Sequence, residues 1–351
     1  MLGVHQTGRA AALFFGALLF VAQVQGQMQA PVPAQKDGLV DARELRAWIE
    51  RVQDASRTKN YSGTFVVTSS LGFVTSRLAH MCIGSDVYEQ VDLMDGLRRT
   101  QLRANNVVHT LYPDQRIATT ETRETVDSFP RLLKNEDAKL AEFYEMRALG
   151  EDRVAGYATR VVHLKPRDGF RLGMRLWSEE KTGLLLKSQV IGLNGEVLEQ
   201  VAFSELAINV PSQGEKIKSS IRKLEGYRVE QVRAVVTTAK AEGWRMSARV
   251  PGFREVACMK REMRAQPILI EARPEAKPRD VLQWVFSDGL SNVSLFVEPY
   301  VRELHNREGL SIVGATHTLT ARKGDWWVTV LGEVPALTLQ SFTQSLERIQ
   351  K

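Results

Sequence analysis

Six histidines, two cysteines and a scatter of carboxylates are the side chains in this sequence that could do acid–base, nucleophilic or metal chemistry. Their spacing argues against most of it. His5, His80, His109, His163, His305 and His317 include no pair at ligand spacing on a helix or around a cysteine pair. No nucleophile elbow, phosphate loop or dinucleotide glycine pattern occurs. His80 and His163 fall in strand-like sequence, where a hydrogen-bonded structural histidine is the simpler reading. Glu179-Glu180 reads as a solvated turn. Cys82 and Cys258 lie far apart, and two unpaired, buried thiols are favoured over a disulfide. No cofactor is called for. An active site assembled from residues distant in sequence stays open, because catalytic constellations are spatial.

The elements that would position any such residues centre on residues 153–206. Phe170, Leu172, Met174 and Leu176 alternate with Arg171, Gly173, Arg175 and Trp177, the period of two that marks a strand with two unlike faces. Asn194-Gly195, residues 180–183 and residues 166–169 supply turns. Links this short leave no room for crossover helices, so successive strands must lie side by side and antiparallel. Residues 60–67, 71–83, 87–94, 98–103 and 107–112 read as further strands, and 116–124 as an edge strand. A helix is expected over residues 41–54, capped by Asp41, with Glu44 completing a capping box and Leu45, Trp48, Ile49 and Val52 on one face. Residues 129–144 also read as helical.

Length and composition bound the rest. A chain of 351 residues suggests two domains. The formal charge of +6 comes from 47 cations and 41 anions, well mixed, and no dense basic run with interleaved aromatics points to nucleic acid. Residues 10–22 are apolar, follow Arg9, and are too short for a permanent span. With small residues at Val24 and Gly26, they read as a signal peptide occupying residues 1–26. The expected order is then a disordered spacer at 27–38, a β domain at 39–207, a linker at 208–227 and a small α+β domain at 228–351. In that domain a short helix is expected over 229–242, strands over 244–250, 263–271, 281–286, 293–297, 316–321 and 326–330, and a closing helix over 338–349.

A curved antiparallel sheet with helices on its concave side would leave an apolar groove. Phe65, Val67, Leu172, Met174, Leu176, Trp177, Leu184 and Leu186 are the expected lining, though any one of them is more simply core. Arg167, Arg171 and Arg175 flank the central hairpin and could fork onto a lipid phosphate.

Several segments carry a family resemblance: residues 60–65, 153–156, 164–177, 182–188, 286–290 with 293–298, and 328–335. In this order they resemble the periplasmic sigma-E regulatory proteins called RseB or MucB. The resemblance implies a mainly β, α+β chain. Its larger domain would be an unclosed antiparallel β-barrel with helices on the concave face, like lipoprotein carriers, followed by a smaller α+β module. It implies a periplasmic, non-enzymatic negative regulator of the envelope stress response. Such a protein binds the periplasmic segment of a membrane-anchored anti-sigma factor and shields it from regulated proteolysis. Lipopolysaccharide, other acyl lipid or misfolded envelope components would release the shield. Ser287, Asp288, Gly289, Leu290 and Glu333 are the expected partner contacts. A lipid carrier without a regulatory partner, and an exported enzyme on a barrel scaffold, are the competing readings. Self-association is left open.

Overall fold

The computed structural model describes residues 38–39, 41–123, 140–263, 279–305 and 307–349. The expected signal peptide, most of the expected helix at 129–144 and most of the expected strand at 263–271 lie outside these residues. Residues 36–351 form one compact unit.

The larger sheet has thirteen strands among the described residues. They are β1 (Gly38–Leu39), β2 (Tyr61–Ser69), β3 (Gly72–Ile83), β4 (Asp86–Leu93), β5 (Thr100–Ala104), β6 (Val107–Tyr112) and β7 (Ile117–Thr122). They continue as β8 (Tyr144–Val154), β9 (Tyr157–Pro166), β10 (Gly173–Glu179), β11 (Leu185–Ile191), β12 (Val197–Ile208) and β13 (Arg228–Gln231). The spatial order is β1-β8-β9-β10-β11-β12-β2-β3-β4-β5-β6-β7-β13. The end strands β1 and β13 do not pair, so the barrel is unclosed, as expected. Every pairing is antiparallel except β13 with β7. Strand β2 can lie flat against the bulged β12 because Gly63 has no Cβ: one placed there would sit 2.2 Å from the Glu205 carbonyl oxygen.

Helix α1 (Ala42–Thr58) starts where the sequence predicts. The Asp41 carboxylate accepts the amides of Arg43 and Glu44, both at 2.8 Å. The Glu44 carboxylate pairs with Arg160 on β9. Leu45, Trp48, Ile49 and Val52 pack on Val162, Leu164, Leu176 and Leu185. The expected linker is not extended: it contains helix α3 (Gly214–Arg222), and the short α2 (Leu140–Phe143) precedes β8. Ile217 of α3 is buried with Met81, Tyr88, Leu102, Leu111 and Ala118.

The smaller sheet runs β14 (Ala234–Val236), β16 (Arg254–Met263), β17 (Arg279–Ser287), β18 (Asn292–Pro299), β21 (Trp326–Gly332), β20 (Thr316–Lys323) and β19 (Gly309–Val313). Helix α4 (Ala336–Ser345) covers one face, burying Leu339 and Phe342 on Trp284, Phe286 and Leu295. A two-stranded ribbon joins β15 (Trp244–Met246) to β22 (Leu346–Arg348).

Three local expectations fail. Residues 229–242 are not helical: β13 pairs along β7 and β14 along β16, so tertiary pairing of a Val-rich stretch overrides a weak helical pattern. The closing helix stops at Ser345 because the next three residues pair with β15. Strand β16 is absent from the sequence reading, because its charged residues sit in the alternation where a one-sided strand would show apolar ones.

Candidate functional site: a joint and a cleft between the sheets

The two sheets meet in two ways, and the alternation of strands produces both. Along β5, β6 and β7, Leu102, Leu111 and Ala118 face α3. Their neighbours Gln101, Thr110, Thr119 and Glu121 therefore face away from it. Along β16, β17 and β18, Cys258, Leu282, Trp284 and Leu295 face the α4 core, and Met259, Arg261, Gln283, Ser294 and Phe296 face away. These outward sets line one cleft of about 660 Å³, joined by Arg99, Met174, Leu290, Asn292 and Glu333. The Arg261 guanidinium reaches across to Glu121 Oε2 at 3.0 Å. The walls mix polar and apolar surface in nearly equal parts, the apolar share coming from Met174, Met259, Met263, Leu290, Phe296 and Leu331. Such a lining suits an extended peptide, whose backbone needs hydrogen-bond partners, better than a bare acyl chain.

Beside the cleft the sheets are joined without a gap. Arg171, in the β9–β10 connection, is fully buried. Its Nη1 pairs with Asp168, and its Nη2 donates to the Pro251 carbonyl at 2.6 Å. Nε lies 2.7 Å from Asp288 Oδ2, an ion pair whose angle falls short of a linear hydrogen bond. Both side chains of that pair are 0% exposed. The guanidinium also lies over the Phe143 ring, 4.2 Å from its centroid. Asp288 is held from the other side by the Tyr144 hydroxyl at 2.9 Å and by the amides of Leu290 and Ser291. Burial, then the charge of Asp288, raises the Tyr144 hydroxyl well above the usual phenol range. At Gly252 (φ +78) a Cβ would stand 2.0 Å from Arg171 Nη2, so only glycine fits there.

Apolar residues cross the joint in both directions. Phe170 of the larger sheet packs on the core of the smaller one, and its carbonyl accepts the Thr338 hydroxyl at 2.7 Å. Leu290 of the smaller sheet packs on the α1 core of the larger one. Ala315 is buried against Leu172 and Val190.

This geometry corrects several expected roles. Arg171 has no free face for a phosphate, because its donors are used inside the joint. Arg167 is exposed, 3.9 Å from Glu145, and Arg175 donates to Gln189 at 3.3 Å. Ser287 and Asp288 are buried around their own turn, where the Ser287 hydroxyl accepts the Gly289 amide at 3.1 Å. They are joint residues, not open contacts. Leu290 and Glu333 do reach the cleft. The eight apolar residues do not form one groove. Leu176 and Met174 belong to the α1 core, Phe65, Val67, Trp177, Leu184 and Leu186 to a second cluster, and Leu172 to the joint. Glu179 is buried rather than solvated. Burial pushes its carboxyl up, but hydrogen bonds from Thr182 and Lys181 outweigh this and hold it below the usual range.

Both domains of one family are found along the chain in order. The MucB/RseB N-terminal domain matches residues 44–221, and the MucB/RseB C-terminal domain matches residues 238–347. The chain belongs to the MucB/RseB family. Curated MucB/RseB relatives include the sigma factor AlgU regulatory protein MucB of Pseudomonas aeruginosa, 28% identical over 316 residues, 87% of this chain and 91% of that protein. The sigma-E factor regulatory protein RseB of Escherichia coli strain K12 is 24% identical over 303 residues, 86% and 90% of the two chains. Among solved structures, MucB in complex with MucA(peri) superposes with a TM-score of 0.62 at 26% identity, covering 87% of this chain and 99% of that one. The Pseudomonas aeruginosa MucA/MucB complex gives 0.64 at 25% identity, covering 87% and 99%.

Three adjacent strands, β3, β4 and β5, hold a triad that the sequence does not reveal, because its members are cross-strand neighbours. His80 Nδ1 lies 2.6 Å from Glu89 Oε1, and Arg103 Nε lies 2.8 Å from Glu89 Oε2. The Tyr61 ring stacks on His80 at 4.6 Å, and Cys82 Sγ is 3.7 Å from His80 Nε2. A thiol, an imidazole and a carboxylate in line are the parts of a nucleophilic site. Here burial, then the charge of Glu89, pushes the Cys82 thiol up, so it stays protonated at neutral pH and the thiolate is withheld. Among the described residues no group of three or more His, Cys, Asp or Glu is placed to hold a metal ion.

Proposed function

We propose that this chain is a periplasmic binding regulator of a sigma-factor pathway. It takes the periplasmic segment of a membrane-bound anti-sigma factor into the cleft between its sheets and so shields that segment from proteolysis. The observation that carries the reading is the match of both MucB/RseB domains in order, joined to a peptide-sized cleft of mixed polar and apolar lining between them. Relatives named as sigma factor regulatory proteins, and the solved complex of MucB with MucA(peri), support it. The domain boundary in this reading falls between Gln231 and Ala234, where the chain leaves one sheet and enters the other. Export through a signal at residues 1–26 belongs to it as well. Among the described residues no helix is long and apolar enough to cross a membrane.

Release by an acyl lipid is part of the same reading. Of the eight apolar residues expected to line a lipid groove, Met174 alone lines the cleft, where an acyl chain would compete with peptide. The test is fluorescence anisotropy with the labelled periplasmic segment of the host's anti-sigma factor. Binding is expected at about micromolar or tighter, weakened about tenfold by Glu333→Lys with Arg261→Glu. A well-folded chain that leaves the segment unbound at about 100 µM would refute the assignment. Turnover of a hydrolase substrate by the purified chain would favour the enzyme reading instead.

A further inference from the structure

Exposed apolar side chains gather at one end of the molecule. The β2–β3 turn carries Leu71 and Phe73, 76% and 68% exposed. The β4–β5 connection, with Met94 and Leu97, runs alongside, since the Met94 amide donates to the Thr75 carbonyl at 2.9 Å. The β11–β12 turn, with Leu193 and Val197, lies on the other side, since Glu199 pairs with Ser69. The β19–β20 hairpin of the smaller sheet borders the same tips: the Gly314 amide approaches Ser70 Oγ at 3.4 Å, and β19 is exposed along its whole length. Soluble proteins rarely leave an apolar patch of this extent uncovered unless something binds it.

The acidic residues of these turns, Asp95 and Glu196, are exposed but engaged in local hydrogen bonds: Asp95 accepts the Thr75 amide, and Glu196 Oε2 accepts the Asn194 amide at 3.1 Å. Arg98 points to solvent, its side chain 74% exposed, with Asp114 at 3.7 Å too exposed to neutralise it. Apolar residues at turn tips, with the exposed Arg98 beside them and the turn carboxylates already occupied by backbone amides, match the layering of an anionic bilayer surface: acyl chains first, phosphates next. A flat or concave protein surface would not receive three separate turn tips, whereas a fluid bilayer deforms around each.

We infer that these hairpin tips form a membrane-docking rim that seats the protein on an anionic bilayer, separate from peptide capture in the cleft. The test is co-sedimentation of the mature chain with vesicles of phosphatidylglycerol and phosphatidylethanolamine, against vesicles of phosphatidylcholine alone. The wild type should pellet with the anionic vesicles. Leu71→Ser with Phe73→Ser should weaken that partition about tenfold or more, with an unchanged thermal midpoint. Arg98→Glu should weaken it about fivefold or more on anionic vesicles and leave the residual partition on phosphatidylcholine unchanged. Two results would overturn the inference. One is a wild type that pellets no better with anionic vesicles than without them, or a double variant that pellets as well as the wild type. The other is a dimer by light scattering that the double variant dissolves while vesicles bind neither form, which would make the rim a contact between copies.

Discussion

The joint and the cleft lie side by side between the same two sheets, yet they are built on opposite principles. In the joint, two charged side chains are removed from water and every approach to them is filled: Arg171 has Asp168, Asp288, Pro251 and the Phe143 ring. In the cleft, Arg261 and Glu121 meet at 3.0 Å with both side chains still partly in solvent. A buried ion pair gives little net stability over an apolar filling, but breaking it is costly, because the surviving charge has nowhere to go. A pair that keeps some contact with solvent can lose a partner and be rehydrated. The joint therefore fixes how the sheets meet, while the cleft keeps groups that a peptide can engage without a large penalty. The joint draws Asp168, Phe170, Arg171 and Leu172 from one segment that carries the family resemblance and Asp288 and Leu290 from another.

The sharpest way to break this comparison is Asp288→Ala. It strands the Arg171 Nε and the Tyr144 hydroxyl, and should lower unfolding stability by about 3–5 kcal/mol in urea titration. A loss under about 1 kcal/mol would mean the joint is wet and the contrast with the cleft is false. Phe170→Ala empties the plug in the smaller domain's core. Because Phe170 is half-buried, the expected loss is about 2 kcal/mol, and the two domains should unfold less cooperatively in calorimetry.

Tyr144→Phe sharpens the same point through pH. The Tyr144 hydroxyl is raised in the folded state, so its contribution is fully present below the unfolded phenol value and is lost as pH rises through the folded one. At neutral pH the variant should be less stable than the wild type by about 1 kcal/mol. Above about pH 10 the gap should narrow, since only the wild type pays to keep this phenol protonated. A gap that stays constant up to pH 11 would place the hydroxyl outside the joint's electrostatics. The smallest stability effect belongs to Arg261→Ala, under about 1 kcal/mol. Its mark should be weaker capture of the anti-sigma segment; unchanged affinity would move the peptide out of the cleft.

Residues 164–177 show what could be read and what could not. Their alternation from Gly173 to Trp177, and the turns around them, predict β10 and the meander of β9, β10 and β11, since those signals are local. Phe170, Arg171 and Leu172, read as part of the same strand, lie in the β9–β10 connection. The Asp41 cap and the apolar stripe of α1 are local as well. The same stretch also invites Arg171 onto a solvated face, because a period of two says only that faces differ. Which face meets solvent depends on Asp288 and Pro251, more than seventy residues away in sequence.

What the sequence determined by itself is therefore the strand and turn pattern of the larger sheet, the start of α1 and the family. Each rests on neighbours along the chain or on residue identities in order. What the tertiary structure decided is the assignment of faces. It sends Gln101, Thr119 and Glu121 to a cleft because α3 claims their neighbours, and it recruits the charged β16 into a sheet because both its edges are paired. The physical reason is that burial belongs to a pair of surfaces, and the second surface lies elsewhere in the chain.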